Sequence, residues 1–167
     1  MAKAFNPAAG GRQPVVGLVG WRGMVGSVLM DRMQAEDDFA QIEPIFFSTS
    51  DPGGPLPPSI AHLAKNEATL KDASAPEALQ ACDIIITCQG GDYTSEVFPK
   101  LRGTGWNGHW IDAASTLRMQ DDAVIVLDPV NLPVIQAALA KGMSNWIGGN
   151  CMVSCMLMGV GALYKSG

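Results

Sequence analysis

Hydrophobic positions change period several times along this chain, and each change marks an element. Residues 15–20 (VVGLVG) form a continuous apolar run, which suits a strand buried on both faces. In the following WRGMVGSVLMDRMQ, Met24, Val25, Val28, Leu29 and Met33 recur at helical spacing. Asp37, Asp38 and Phe39 end that helix. Residues 42–47 predict a second short strand that closes on Ser48, Thr49 and Ser50. Residues 51–59 (DPGGPLPPS) are a proline-glycine loop. The signal over 62–74 is weak, with a minor strand at 68–70. Residues 76–81 read as a short helix with proline in its first turn. Residues 83–88 (DIIITC) are the clearest strand, broken by Gln89, Gly90 and Gly91. A helix over 93–102 and a return turn over 103–108 follow. Residues 110–113 and 124–127 predict further strands, and 131–141 a helix with Pro133 early and Gly142 past its end. Trp146 and Ile147 lead into Gly148-Gly149-Asn150-Cys151, and a last helix starts near Met152.

Strands alternating with helices imply an α/β fold with a doubly wound, mostly parallel sheet. Residues 1–14 read as a loose, mobile leader, 15–150 as the folded domain, and 151–167 as the start of another helix. That helix (MVSCMLMGVGALY) is apolar nearly all round and must be buried. The expectation is therefore the front part of a larger protein.

Composition narrows the function classes. Of 167 residues, 47% are apolar and 16% charged, which excludes an intrinsically disordered chain. Eleven basic against 16 acidic residues leave a charge of −5 with no basic cluster, which argues against a nucleic-acid partner. The 19 glycines have no three-residue period, and four cysteines are too few for a disulfide scaffold. No secretory signal and no membrane span are legible, so a cytoplasmic location with reduced thiols is expected.

Candidate chemistry lies in two places. Glycines at 17, 20, 23 and 26 fall where a strand passes into a helix, a GxxGxxG spacing from Gly20. A bare turn lets a pyrophosphate approach main-chain N–H groups at the positive end of a helix dipole, which points to a dinucleotide. Glycine spacing alone fits a plain packing turn equally well. An NAD site places an acid at the end of the second strand. Here Ser48, Thr49 and Ser50 stand there, with Arg22 as counter-charge for a 2′-phosphate, which favours NADP; three small polar residues also start ordinary loops. The second place is Cys151, at a helix start where the dipole favours a nucleophilic thiolate. Asn150 beside it is a candidate oxyanion donor. Cys155 lies one turn on, whereas Cys82 and Cys88 flank a buried strand and read as inert. Zinc takes about four ligands, and His62 and His109 have no ligand-like spacing to Cys151 and Cys155. No metal is expected.

GLVGWRGMVGSVLMDRM, PIFFSTS, DIIITCQGGDYT, WIDAASTLRM, VIVLDPVN and GGNCMVSCMLM together resemble the bacterial aspartate-semialdehyde dehydrogenases, from about residue 15 to 163. The resemblance implies a Rossmann-like NADP-binding domain and a cysteine-thioester mechanism. It implies interconversion of β-aspartyl phosphate and aspartate β-semialdehyde, for lysine (through diaminopimelate), methionine, threonine and isoleucine biosynthesis. Matched position by position, Cys151 is the nucleophile, Asn150 helps place substrate and Arg118 binds the phosphoryl group. Gly20, Arg22, Gly23, Met24 and Val25 surround the cofactor phosphates, Thr49 and Ser50 approach the 2′-phosphate, and Gln89 lies beside the cofactor. A homodimer is also implied. Met152 departs from the family's threonine, and Cys155 from its leucine. The family's acid/base histidine and substrate-carboxylate arginine belong to a second domain, and neither His62 nor His109 matches, so this chain alone is expected to be inactive. A non-catalytic NADP-binding module and an N-acetyl-glutamyl-phosphate reductase-like enzyme are the competing readings.

Overall fold

In the computed structural model, which describes residues 11–166, the first apolar run becomes β1 (Val15–Val19) in the middle of a seven-stranded sheet. Both of its faces are covered, which is why the run carries no polar alternation: Val16 and Leu18 enter one core and Val19 the other. After β1 come α1 (Met24–Ala35), a 3-10 turn at Asp38–Gln41, β2 (Glu43–Ser48), α2 (Pro58–Ala61), β3 (Lys71–Asp72) and α3 (Pro76–Leu79). They are followed by β4 (Ile84–Thr87), α4 (Gly91–Gly103), β5 (His109–Asp112), β6 (Ala123–Val126), α5 (Leu132–Ala140), β7 (Asn145–Gly148) and α6 (Cys151–Lys165). The strand order is β3-β2-β1-β4-β5-β7-β6, and every strand pairing is parallel. The chain builds outward from β1 to β3, returns to β4 beside β1, and then builds the other way. That reversal is the switch point at which doubly wound sheets open a crevice.

One face of the sheet is fully dressed. Leu79 of α3, with Val97 and Leu101 of α4, packs on Ile85, Trp110 and Ile147. Trp110 is wholly buried between Tyr93, stacked at 6.3 Å, and Phe98, edge-on at 5.3 Å. The other face is dressed in two pieces. Met30 and Met33 of α1 cover Val16, Leu18 and Phe46, and Ala138 of α5 covers Val124 and Trp146. Between them an apolar cavity of about 550 Å³ lies over Ile86, Ile111 and Trp146.

The structure departs from the sequence reading at several points. Only some of the apolar positions that signal α1 turn inward: Met33 is buried and Leu29 half-buried beside Gly26 and Met30, whereas Met24, Val25 and Val28 are exposed. Gly26 lets the helix press directly on the Gly20–Trp21 backbone, and this contact sets which side turns in. The minor strand lies at Lys71–Asp72, and Thr69 makes only an isolated bridge to Pro55. The proline-glycine loop ends in α2. Trp146 and Ile147 belong to a strand, β7, inserted between β5 and β6. α6 is not buried within the described residues. Only the stripe of Ser154, Leu157 and Gly161 turns inward, while Met152, Met156, Met158 and Val160 are exposed. Of the expected leader, residues 1–10 lie outside the described residues. Arg12 pairs with Asp83 at 2.8 Å, and Gln13 donates to the Ala40 carbonyl at 2.6 Å.

Candidate active site

Parallel strands bring all their C-terminal ends to one edge of the sheet. Val19 is opposite Thr87, Thr87 opposite Asp112, and Asp112 opposite Ile147. The segments leaving those strands therefore share a rim: Gly20–Gly23, Gln89, the turn carrying Arg118, and Gly149–Cys151. From β1 to β7 is three strand spacings, roughly 14 Å. His109 opens β5 and so belongs to the opposite edge.

The turn after β1 is built by exclusion. Gly20 has φ +72°, and a Cβ there would lie 2.5 Å from the Gln89 nitrogen. A Cβ on Gly26 would strike the Gly20 carbonyl. The Gly23 N–H donates to Gly20 O at 3.1 Å, and no side chain caps α1. The N–H groups of Met24, Val25 and Gly26 are the unpaired donors that begin any helix. Beside this helix start lies a crevice of about 340 Å³ lined by Gly20, Arg22, Gly23, Thr49, Ser50 and Gln89. That is the geometry that holds an anion. The side chains of Met24 and Val25 do not line it. Met24 is exposed, and Val25 borders the apolar cavity.

Arg22 is held over the crevice. Its Nη2 donates to Ser48 Oγ at 2.7 Å and to Ser50 Oγ at 3.1 Å, and its guanidinium lies 5.2 Å from the Trp21 ring. Ser48, buried at the end of β2, also accepts the amides of Ser50 and Asp51, at 3.3 and 3.0 Å. Gln89 Nε2 reaches Thr49 Oγ1 at 3.5 Å. The nearest acid, Asp51, folds against Gly54 and does not line the crevice. Sequence reasoning set Ser48, Thr49 and Ser50 beside Arg22 but missed Trp21, whose ring lies against the guanidinium.

The turn after β7 is held by side chains. Asn150 caps α6, its Oδ1 accepting the Val153 N–H at 3.1 Å, which leaves its amide NH₂ as the free donor. Cys151 and Cys155 are both exposed. Arg118 reaches back from the turn after β5: Nε donates to Gly148 O at 2.8 Å and Nη2 to Gly149 O at 3.1 Å. The start of that turn is fixed by buried Asp112, which accepts from Thr94 Oγ1 (2.6 Å), Trp110 Nε1 (3.3 Å) and the Ala114 amide (2.7 Å). The structure thus places Cys151, Asn150 and Arg118 together, on the same rim as the glycine turn.

The other thiols are set apart by burial. Cys82 is 3% exposed and its thiol is pushed up to about 12, first by burial and then by Asp83. Cys88, half-buried, is raised by burial and by Asp112. A larger cavity, about 610 Å³, lies at the opposite edge beside Asp83, Arg102 and His109. Its charges are spent on structure. Arg102 donates to the Trp106 and Gly108 carbonyls and to Asn145 Oδ1. His109 Nδ1 accepts from Trp146 Nε1 at 3.0 Å, and burial followed by Arg102 lowers its pKa. His62 is exposed just beyond α2. No described helix is long and apolar enough to cross a membrane.

Residues 15–138 match the family described as semialdehyde dehydrogenase, NAD binding domain. Among solved structures, the aspartate semialdehyde dehydrogenase from Francisella tularensis is 46% identical with a TM-score of 0.87 over 92% of this chain, and 41% of that chain is covered. Aspartate semialdehyde dehydrogenase II from Vibrio cholerae, solved in complex with ASA, is 20% identical with a TM-score of 0.69, covering 92% of this chain and 47% of that one. The Candida albicans enzyme with NADP is 16% identical with a TM-score of 0.61, covering 93% and 48%. The last two show the fold alone. This chain spans less than half the length of each of these relatives. With the glycine turn, the doubly wound parallel sheet and a match over most of its length, the chain belongs to the semialdehyde dehydrogenase NAD-binding domain family, with an aspartate semialdehyde dehydrogenase-like fold.

Proposed function

We propose that this chain is the cofactor-binding and nucleophile-bearing part of an NADP-dependent aspartate-semialdehyde dehydrogenase. The observation that carries the reading is the shared rim: an uncapped helix start over a bare glycine turn, and an exposed cysteine at a second helix start beside Arg118. The residues fit a dinucleotide: Gly20, at positive φ against the Gln89 backbone, makes a bare turn into a helix start that no side chain caps, which suits a diphosphate on the main chain. Arg22, Ser48, Thr49 and Ser50, with no acid lining the crevice, favour the 2′-phosphate of NADP over a free ribose hydroxyl.

In the reductive direction the Cys151 thiolate attacks the carbonyl carbon of β-aspartyl phosphate. The acyl C–O bond breaks and phosphate leaves, so that an acyl-cysteine thioester remains. NADPH, when bound, supplies the hydride that reduces it. Collapse of the resulting thiohemiacetal returns the thiolate and releases aspartate β-semialdehyde. Arg118 meets the phosphoryl group through a planar, always charged guanidinium. The amide of Asn150 donates toward the oxygen on which charge develops. Amino-acid biosynthesis, a cytoplasmic location and a homodimer complete the proposal.

Titration of this chain with NADPH and NADH tests the cofactor half, with tighter NADPH binding expected. In an enzyme of the relatives' length carrying these residues, Cys151→Ser should abolish turnover while NADPH binding survives. Unchanged turnover would reject the assigned nucleophile.

A further inference from the structure

Gly148 and Gly149 make the approach to Cys151 bare main chain. At Gly149 a Cβ would lie 2.5 Å from Ser154 Oγ, so a side chain there would have to turn that hydroxyl aside. Bare main chain is also the least ordered kind, since glycine loses the most freedom when fixed. Gly148 ends β7 opposite Val126, but Gly149 lies past the ladder and has no side chain with which to hold the passage. Arg118 holds it, through the Gly148 and Gly149 carbonyls at 2.8 and 3.1 Å. Both bonds come from one edge of the guanidinium, the Nε–Nη2 edge. A guanidinium has five N–H donors in a planar fork, so the outer edge, formed by Nη1 and the second Nη2 hydrogen, is still free to grip an anion in a bidentate manner.

We propose that Arg118 is a positioning residue for the nucleophile as well as an anion ligand. It clamps the Gly148–Gly149 passage with one edge and presents the other to the phosphoryl group, and it keeps the first grip when the second is made. One rigid plane then sets the distance between the anion and the start of α6, where Cys151 sits. Lysine keeps the charge, but its three N–H donors sit on one nitrogen with no planar fork of two edges, so it cannot do both. The proposal rests on the reading of Cys151 as nucleophile and of Arg118 as the phosphoryl ligand. It goes beyond that reading in making the arginine act through the loop.

The test is hydrogen–deuterium exchange of this chain, wild type and Arg118→Lys, with inorganic phosphate as the probe and the Ile85 and Leu101 amides as internal references. In Arg118→Lys the Val153 and Ser154 amides, which bond to Asn150, should exchange about tenfold faster while the reference amides stay unchanged, as expected for the loss of one charge-assisted hydrogen bond. The alkylation rate of Cys151 should shift severalfold relative to that of Cys155. Wild-type exchange rates in Arg118→Lys would overturn the proposal. So would phosphate that loosens Val153 and Ser154 in the wild type, because the arginine would then be giving up the loop to take the anion. If Arg118→Lys loosens the loop but phosphate binds neither protein, the clamp is supported and the phosphoryl-ligand reading falls. A measurement on the wild type alone guards against a misfolded variant. Side-chain NMR should show a persistent Arg118 Nε proton and hindered Nη rotation, and a freely averaging guanidinium would sink the clamp.

Discussion

Two strand-to-helix turns stand on the same rim and are held by opposite means. After β1 the chain is packed so closely that Gly20 and Gly26 admit no Cβ, and no side chain caps the helix. After β7 side chains do the holding: Asn150 caps α6 and Arg118 grips the carbonyls before it. The first arrangement leaves main-chain N–H groups free, which suits a ligand recognised by its charge. The second occupies the backbone with polar ties and leaves a side chain, Cys151, exposed, which suits covalent chemistry. In the proposed function the same supersecondary unit is put to binding or to reaction according to whether close packing or side-chain hydrogen bonds fix it.

The largest expected effect that sharpens this contrast is in thiol labelling. Cys82 lies just before β4, against β1 at the edge of the sheet opposite both turns, 2.9 Å from where a Cβ of Gly17 would be, and burial raises it from 9.0 to about 12. At neutral pH its alkylation should lag an ordinary thiol by on the order of a thousandfold. Cys151 should label freely. Peptide mapping after brief alkylation checks both, and equal rates would break the contrast. The same shift has a stability consequence. The folded value lies above the unfolded one, so the contribution is whole below about pH 9 and is lost as pH rises toward 12. Denaturation midpoints measured across that window should fall.

Next comes backbone tolerance. Gly20→Ala adds a Cβ to a positive-φ residue against the Gln89 backbone and should cost about 2–4 kcal/mol. Gly148→Ala meets only ordinary contact, 3.6 Å from Ala113, and should cost less than about 1 kcal/mol. Urea denaturation of the pair compares the two turns directly, and similar losses would refute the difference. If Arg22 meets the 2′-phosphate as proposed, Arg22→Ala should lower the expected preference for NADPH over NADH about tenfold, measured by titration, through loss of that charge-assisted contact. A modest effect is expected at Asn150→Ala, where loss of the cap should cost about 1 kcal/mol in thermal or urea unfolding.

Much of the fold was legible because burial on both faces writes an unmistakable pattern. VVGLV and the IIIT of β4 have no polar alternation, and the glycine turn stands out by spacing. β7 was half-hidden because its four residues begin with Asn145 and end with Gly148, leaving two apolar letters to announce a strand. The inward side of α1 was misleading because the contact is made by Gly26, which has no hydrophobic signal at all. α6 reads as buried by composition, yet within the described residues only a narrow stripe of it turns inward. Cys151, Arg118 and Asn150 were named from their motifs. That Arg118 bonds the glycine carbonyls was not legible, because a contact thirty residues apart leaves no local trace.

The uniform direction of the seven strands also divides the molecule for an engineer. Candidate binding and reacting groups gather where the strands finish, while Arg102, His109 and Asn145 are anchored where they begin. Substitutions that toughen the lower margin should then leave ligand affinity untouched, so robustness and catalytic tuning can be pursued as separate campaigns on one scaffold.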